Sequence, residues 1–259
     1  MFSISVLEPN IMFNTTHRFF KLSTLLILFI GSASCSSDIE EINTSLPVEQ
    51  IPTTPPDVNS VRYLAIGDSY TVGEGLEEEQ SWPYQLKQKL LENGVEEVAL
   101  TVIGGTGLTT IEVTRLIDVA TFEEPFDIIS IQIGVNNQYR GQGVEQFSSE
   151  LNAMLEEIES NAYLKYAKRF AVSIPDWGAT PYGKSYNRTQ VAREINEYNA
   201  LKKKACQGRS IPFINITELS RANPDNAAWV VQDGLHPSES MYAAWVEKIF
   251  PVVKPLIQS

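Results

Sequence analysis

From Val61 onward, short unbroken apolar runs alternate with stretches whose apolar residues recur at helical spacing. Residues 61–66 read as a buried strand that stops at Gly67. Pro83 opens a helix carrying Leu86, Leu90 and Leu91, which ends near Gly94. Residues 98–103 form a second run, halted by Gly104 and Gly105, and Thr109 with Glu112 makes a capping-box pair ahead of Leu116 and Ile117. A third strand is predicted over 126–133, before Gly134, and Phe147, Leu151, Met154, Leu155 and Ile158 mark the helix after it. The remaining elements are a strand over 170–174, a helix over 191–206, a strand over 211–216 and a last helix from 238 to about 250, frayed or kinked by Pro251 and Pro255.

Continuous apolar strands alternating with helices imply a parallel sheet covered on both faces. The expected fold is α/β: a three-layer, flavodoxin-like, doubly wound sheet of five parallel strands in the order 2-1-3-4-5. In that order the ligand crevice opens at the C-terminal ends of strands 1 and 3. Topology alone therefore points to Ser69, just after strand 1, and to Asn136, just after strand 3.

The first sixty residues follow another pattern. Arg18 and Lys21 precede a charge-free stretch, residues 24–34, whose centre is the apolar run 25–30 and whose end is Gly31-Ser32-Ala33-Ser34. This is the form of an export signal, and its apolar run is shorter than the ~20 residues that span a bilayer. Met12 offers an alternative start. Cys35 directly after the small residues resembles a bacterial lipobox, although Ser32 stands where such boxes usually carry Leu. Cleavage after Ser34 by an ordinary signal peptidase is the rival expectation. Residues 36–60 hold Pro47, Pro52, Pro55 and Pro56 among Ser, Thr, Asp and Glu, a tether composition. At about 3.1 Å per residue such a tether reaches on the order of 75 Å. The expected organisation is a signal over 1–34, a lipidated Cys35 with its tether over 35–60, and one folded domain over 61–259, exported and anchored at the cell envelope.

Composition narrows the function classes. Of 259 residues, 43% are hydrophobic and 20% charged, ordinary values for a soluble globular chain. The formal net charge of −12 argues against a nucleic-acid partner, which needs a cationic face. Two cysteines and two histidines exclude a disulfide scaffold and a Cys/His metal cage. Removal of the signal takes His17 with it, so His236 is the single histidine of the mature chain.

Three segments carry candidate chemistry. Ser69, in Gly67-Asp68-Ser69-Tyr70-Thr71, lies on a strand-to-helix turn that can present a hydroxyl outward; taken alone, it reads better as the cap of the next helix. Asp233, in Asp233-Gly234-Leu235-His236, lies three residues before His236 across a glycine turn and can fix the imidazole tautomer; otherwise it is a plain turn residue. Gly107 offers a backbone N–H after strand 2 and Asn136 a side-chain amide after strand 3, both suited to stabilising an oxyanion or simply to forming turns. No lysine follows the glycines 104, 105 and 107 at Walker A spacing, so a Walker A reading fails.

Taken together, these motifs resemble the SGNH (GDSL-type) hydrolase family. Gly67-Asp68-Ser69 matches its block I, Gly107 its block II, Gly134-Val135-Asn136 its block III and Asp233 to His236 its block V. The chain departs from the pattern at Val102, where block II often has Asn, at Asn137, where block III often has Asp, and at Tyr70, where the namesake motif has Leu. The resemblance implies a serine esterase with Ser69 as nucleophile, His236 as base and Asp233 as its orienting acid. It also implies an oxyanion hole from Ser69, Gly107 and Asn136, an acyl-enzyme, and neither cofactor nor metal. Export and a tether suit extracellular esters such as acetylated carbohydrates, short-chain acyl esters or lipids, with membrane contact only through Cys35. Trp82, Trp177 and Trp229 and the segment 175–182 lie near the expected rim, where aromatics stack on a sugar, contact an acyl chain or merely pack a loop. The competing readings are a flavodoxin-like binding protein, which leaves Asp233 and His236 unexplained, and a catalytically silent envelope protein of the same fold.

Overall fold

The computed structural model describes residues 60–258. Strand β1 (Ser60–Gly67) lies inside a five-stranded, all-parallel sheet of order β2-β1-β3-β4-β5. Its last five residues are all buried, which is why the run shows no polar alternation. Strand β2 (Glu97–Gly104) occupies one edge, and there exposed and buried positions alternate over its first residues. Strands β3 (Ile128–Gln132), β4 (Lys168–Val172) and β5 (Phe213–Ile214) complete the sheet.

Helices cover both faces. Helix α2 (Trp82–Glu92) lies beside α8 (Glu239–Ile257), while α3 (Thr110–Val119), α5 (Val144–Ser160) and α6 (Arg188–Gln207) lie side by side. Three short helices, α1 (Ser69–Val72), α4 (Val135–Tyr139) and α7 (Thr217–Ala222), follow β1, β3 and β5. Under α2 the core is aromatic. Trp82 meets Phe170 edge-on at 6.4 Å, Phe170 lies 6.4 Å from Tyr63, and the Tyr63 hydroxyl bonds Ser130 Oγ at 2.9 Å. Removing a ring of this size from such a core costs about 3–5 kcal/mol. Among the described residues no helix is long and apolar enough to cross a membrane.

The topology matches the expected order, and the element ends differ from it in instructive ways. Phe126 and Ile133 are buried but lie outside the paired span of β3. Strand β5 shrinks to two residues beside Pro212, which cannot donate to a ladder and is tolerated only at an edge. The last helix does not stop near residue 250. It continues through Pro251 and Pro255 to Ile257. Both prolines are exposed on the same face as Glu247, so the carbonyls that lose donors face water, while Ile249 and Val253 hold the opposite face in the core. The signal, Cys35 and the tether up to residue 59 lie outside the described residues.

Candidate active site

The turn after β1 is unusually tight. A Cβ on Gly67 would lie 2.0 Å from Thr71 Oγ1 and 2.3 Å from the Gln132 carbonyl oxygen, so only glycine lets α1 fold back over the ends of β1 and β3. The cap of α1 is Asp68, not Ser69: Asp68 Oδ1 accepts from the Tyr70 N–H at 3.1 Å. That assignment frees the Ser69 hydroxyl from the local role it best fitted on sequence alone. Ser69 is buried, at 4% exposure, and its Oγ lies 3.1 Å from His236 Nε2.

His236 is held by its own loop. Asp233 Oδ1 accepts from the N–H groups of Leu235 at 2.7 Å and His236 at 3.0 Å, and Asp233 Oδ2 lies 2.5 Å from His236 Nδ1. The Val231 N–H donates to the His236 carbonyl at 2.8 Å and closes the loop. Burial alone pushes the Asp233 carboxyl up. The imidazole and the two backbone donors outweigh it and leave the group below its ordinary range. An ionised Asp233 accepts the proton on Nδ1, so Nε2 turns its lone pair to the Ser69 hydroxyl. The Tyr70 ring meets the imidazole edge-on at 5.5 Å.

Three residues that carry N–H groups border the hollow beside His236: Ser69, Gly107 and Asn136. Ser69 is the first residue of α1, where backbone N–H groups have no acceptor within the helix. Gly107 has φ of +75°, a left-handed turn that suits glycine. Asn136 Nδ2 donates one hydrogen to the Leu108 carbonyl at 3.0 Å and retains a second. Ser69, Gly107, Asn136 and His236 line one hollow of about 230 Å³, together with Tyr139, Trp177 and Tyr182. A wider open groove, about 840 Å³, runs past Asp233 between Glu74 and Glu239. Among the described residues no cluster of three His, Cys, Asp or Glu side chains is placed to hold a metal ion.

Two supporting residues, Arg140 and Lys202, escaped the sequence reading. Arg140 Nη2 donates to the Gly107 carbonyl at 2.7 Å, and its Nη1 reaches Glu112 Oε2 at 3.2 Å. Glu112 in turn accepts from the Thr109 N–H and hydroxyl, both at 2.7 Å. Asn137 Oδ1 accepts from the N–H and hydroxyl of Thr110, each at 3.0 Å. The segment after β2 and helix α4 are therefore cross-braced at three points. Beneath them Lys202 is fully buried and donates to the carbonyls of Ile133 at 3.1 Å and Val172 at 2.9 Å. Burial lowers its pKa to about 8 and raises that of Asp68 to about 7, each opposed in part by the other's charge. A lysine in the buried stripe Val191, Ile195, Tyr198, Lys202, Cys206 was the available signal for Lys202. Arg140 had none.

A hydroxyl, an imidazole and a carboxylate thus stand in series at the switch point of a doubly wound sheet. A family model for the GDSL-like lipase/acylhydrolase family matches residues 65–244. The chain belongs to this family. Among its relatives, an arylesterase of Vibrio mimicus is 28% identical over 186 residues, covering 69% of this chain and 80% of the relative. Esterase TesA of Pseudomonas aeruginosa is 24% identical over 204 residues, covering 75% and 88%. The crystal structure of a lipase/acylhydrolase from Enterococcus faecalis superposes with a TM-score of 0.61 at 23% identity, over 75% of this chain and 96% of that one. The match to the family spans all four motifs, from Gly67 to His236.

Proposed function

We propose that this chain is a serine ester hydrolase that cleaves short-chain carboxylic esters through an acyl-enzyme on Ser69. The observation that carries the reading is the unbroken series Asp233–His236–Ser69, with contacts of 2.5 and 3.1 Å, opening into the hollow that Gly107 and Asn136 share. Ser69 Oγ attacks the ester carbonyl carbon as His236 Nε2 takes its proton. The carbonyl oxygen becomes an oxyanion bound by the N–H groups of Ser69 and Gly107 and the free Asn136 hydrogen, where each donor contributes about 3–4 kcal/mol. Collapse expels the alcohol, which leaves with the proton from Nε2. Water then gives its proton to Nε2 and attacks the acyl-enzyme; the acid departs and the proton returns to Ser69 Oγ. Asp233 keeps the imidazole oriented and balances its transient charge. Membership of the GDSL-like family and the esterase relatives support this chemistry. A hollow of about 230 Å³ suits a short acyl group better than a long chain. Ser69→Ala is expected to lower p-nitrophenyl acetate turnover about a thousandfold or more in a folded protein; retention of wild-type turnover would overturn the reading.

The same reading places the enzyme outside the cytoplasm, tethered through a lipid on Cys35, on the strength of Arg18, Lys21, the apolar run and the small residues before Cys35. Detergent-phase partition of the expressed full chain, lost on Cys35→Ala, tests it. Equal aqueous partition of both forms would contradict it.

A further inference from the structure

The aromatic lining of the hollow has a chemistry of its own. Tyr139, Tyr182 and Tyr186 join their hydroxyls in a closed triangle, with Tyr139–Tyr182 at 2.7 Å, Tyr182–Tyr186 at 2.9 Å and Tyr139–Tyr186 at 3.1 Å. Trp177 packs beneath them, its ring 5.3 Å from Tyr139 and 4.9 Å from Tyr186. Tyr139 is 47% exposed and Tyr186 42%, so these rings are not core. A closed triangle uses each phenol's one hydrogen internally and leaves a free lone pair on each oxygen. The exposed face is then aromatic below and acceptor-only above.

That wall also shares its hollow with His236. The proton given to the leaving oxygen comes from His236, and the Tyr182 N–H donates to the carbonyl of Gly234, on the His236 loop, at 3.0 Å. The Trp177 indole donates to Gln138 Oε1 at 2.7 Å, which ties the wall to α4 and hence to Asn136. The wall is a fixed surface rather than a loose flap.

Resting on the esterase reading above, we propose that Tyr139, Trp177, Tyr182 and Tyr186 form a subsite for a polyhydroxylated, sugar-sized leaving alcohol. Its C–H face lies on the rings and its hydroxyls donate to the phenol oxygens. An alkyl alcohol offers no hydroxyl to this subsite, and a phenol offers a ring but no donor once it is esterified. Discrimination by hydrogen bonds to ligand hydroxyls is stronger than discrimination by apolar contact.

The test holds the acyl group constant and varies the alcohol: ethyl acetate, phenyl acetate and a mono-acetylated methyl pyranoside. For the wild-type protein, kcat/KM is expected to be highest on the pyranoside ester. In the Tyr182→Phe/Tyr186→Phe double variant, which keeps both rings, the pyranoside-to-ethyl acetate ratio is expected to fall about tenfold. Free methyl pyranoside is expected to compete with ethyl acetate in the wild type and less well in the variant, a readout independent of pyranoside turnover. Equal ratios in wild type and variant, or a wild type that prefers ethyl or phenyl acetate, overturn the subsite while the esterase reading stands. Turnover of none of the three acetates overturns both.

Discussion

The two walls of the hollow beside Ser69 and His236 are built by different means. The amide wall, Gly107 and Asn136, sits on short motifs and is cross-braced by polar side chains: Asn136 to Leu108, Asn137 to Thr110, Arg140 to Gly107 and Glu112. The aromatic wall, Trp177 and Tyr182 with Tyr139 from α4, is held by ring packing and by phenols joined to one another and to Tyr186 outside the lining. On the proposed reading the contrast separates two tasks. Stabilising an oxyanion needs donors fixed to a few tenths of an ångström, which hydrogen bonds in series provide. Accepting an alcohol needs a face of the right chemistry, which aromatic side chains supply at low entropic cost.

Substitutions on each wall sharpen the division. Asn136→Ala removes a donor and is expected to lower kcat about 100- to 1,000-fold on every acetate ester alike, with KM little changed. Steady-state kinetics on the three acetates checks this, and a loss confined to one ester would erase the distinction between the walls. Arg140→Met, which cuts the brace without touching the reacting atoms, is expected to lower kcat about tenfold, with partial recovery in Arg140→Lys. Unchanged kcat in Arg140→Met would remove Arg140 from the positioning of Gly107.

The smallest expected effect lies beneath both walls. The Asp68 carboxyl rises from an ordinary value near 4 to about 7 because it is buried. A carboxyl raised on folding holds its proton longer in the native state than in the unfolded one. Stability therefore falls as pH rises from about 4 toward 7, the opposite of the Asp233 case, where a lowered pKa adds stability that is lost only as pH falls through the acid range. Asp68→Asn keeps a competent cap and is expected to flatten the decline between pH 4 and 7 in urea-unfolding free energies. A slope identical to wild type would show that Asp68 is ionised throughout.

What could be read from the chain follows the same division. Strand order and the motif residues were legible because each is local: an apolar run, a glycine turn, an Asp-x-x-His. Ser69 itself was ambiguous until Asp68 proved to be the cap, a choice decided by the side-chain contact between Asp68 and the Tyr70 N–H. Arg140, Tyr139 and Tyr186 were illegible because their partners lie 33, 43 and 47 residues away along the chain. Helix α8 ran past its expected end because proline's cost depends on where the freed carbonyl points, and only the packed structure turns those carbonyls to water.

The most direct test is covalent. A fluorophosphonate probe followed by peptide mass mapping is expected to modify Ser69 alone in the wild type, more slowly in His236→Ala and not at all in Ser69→Ala. Ester turnover that persists with Ser69 unmodified, or an adduct on a different residue, would contradict the mechanism at its root.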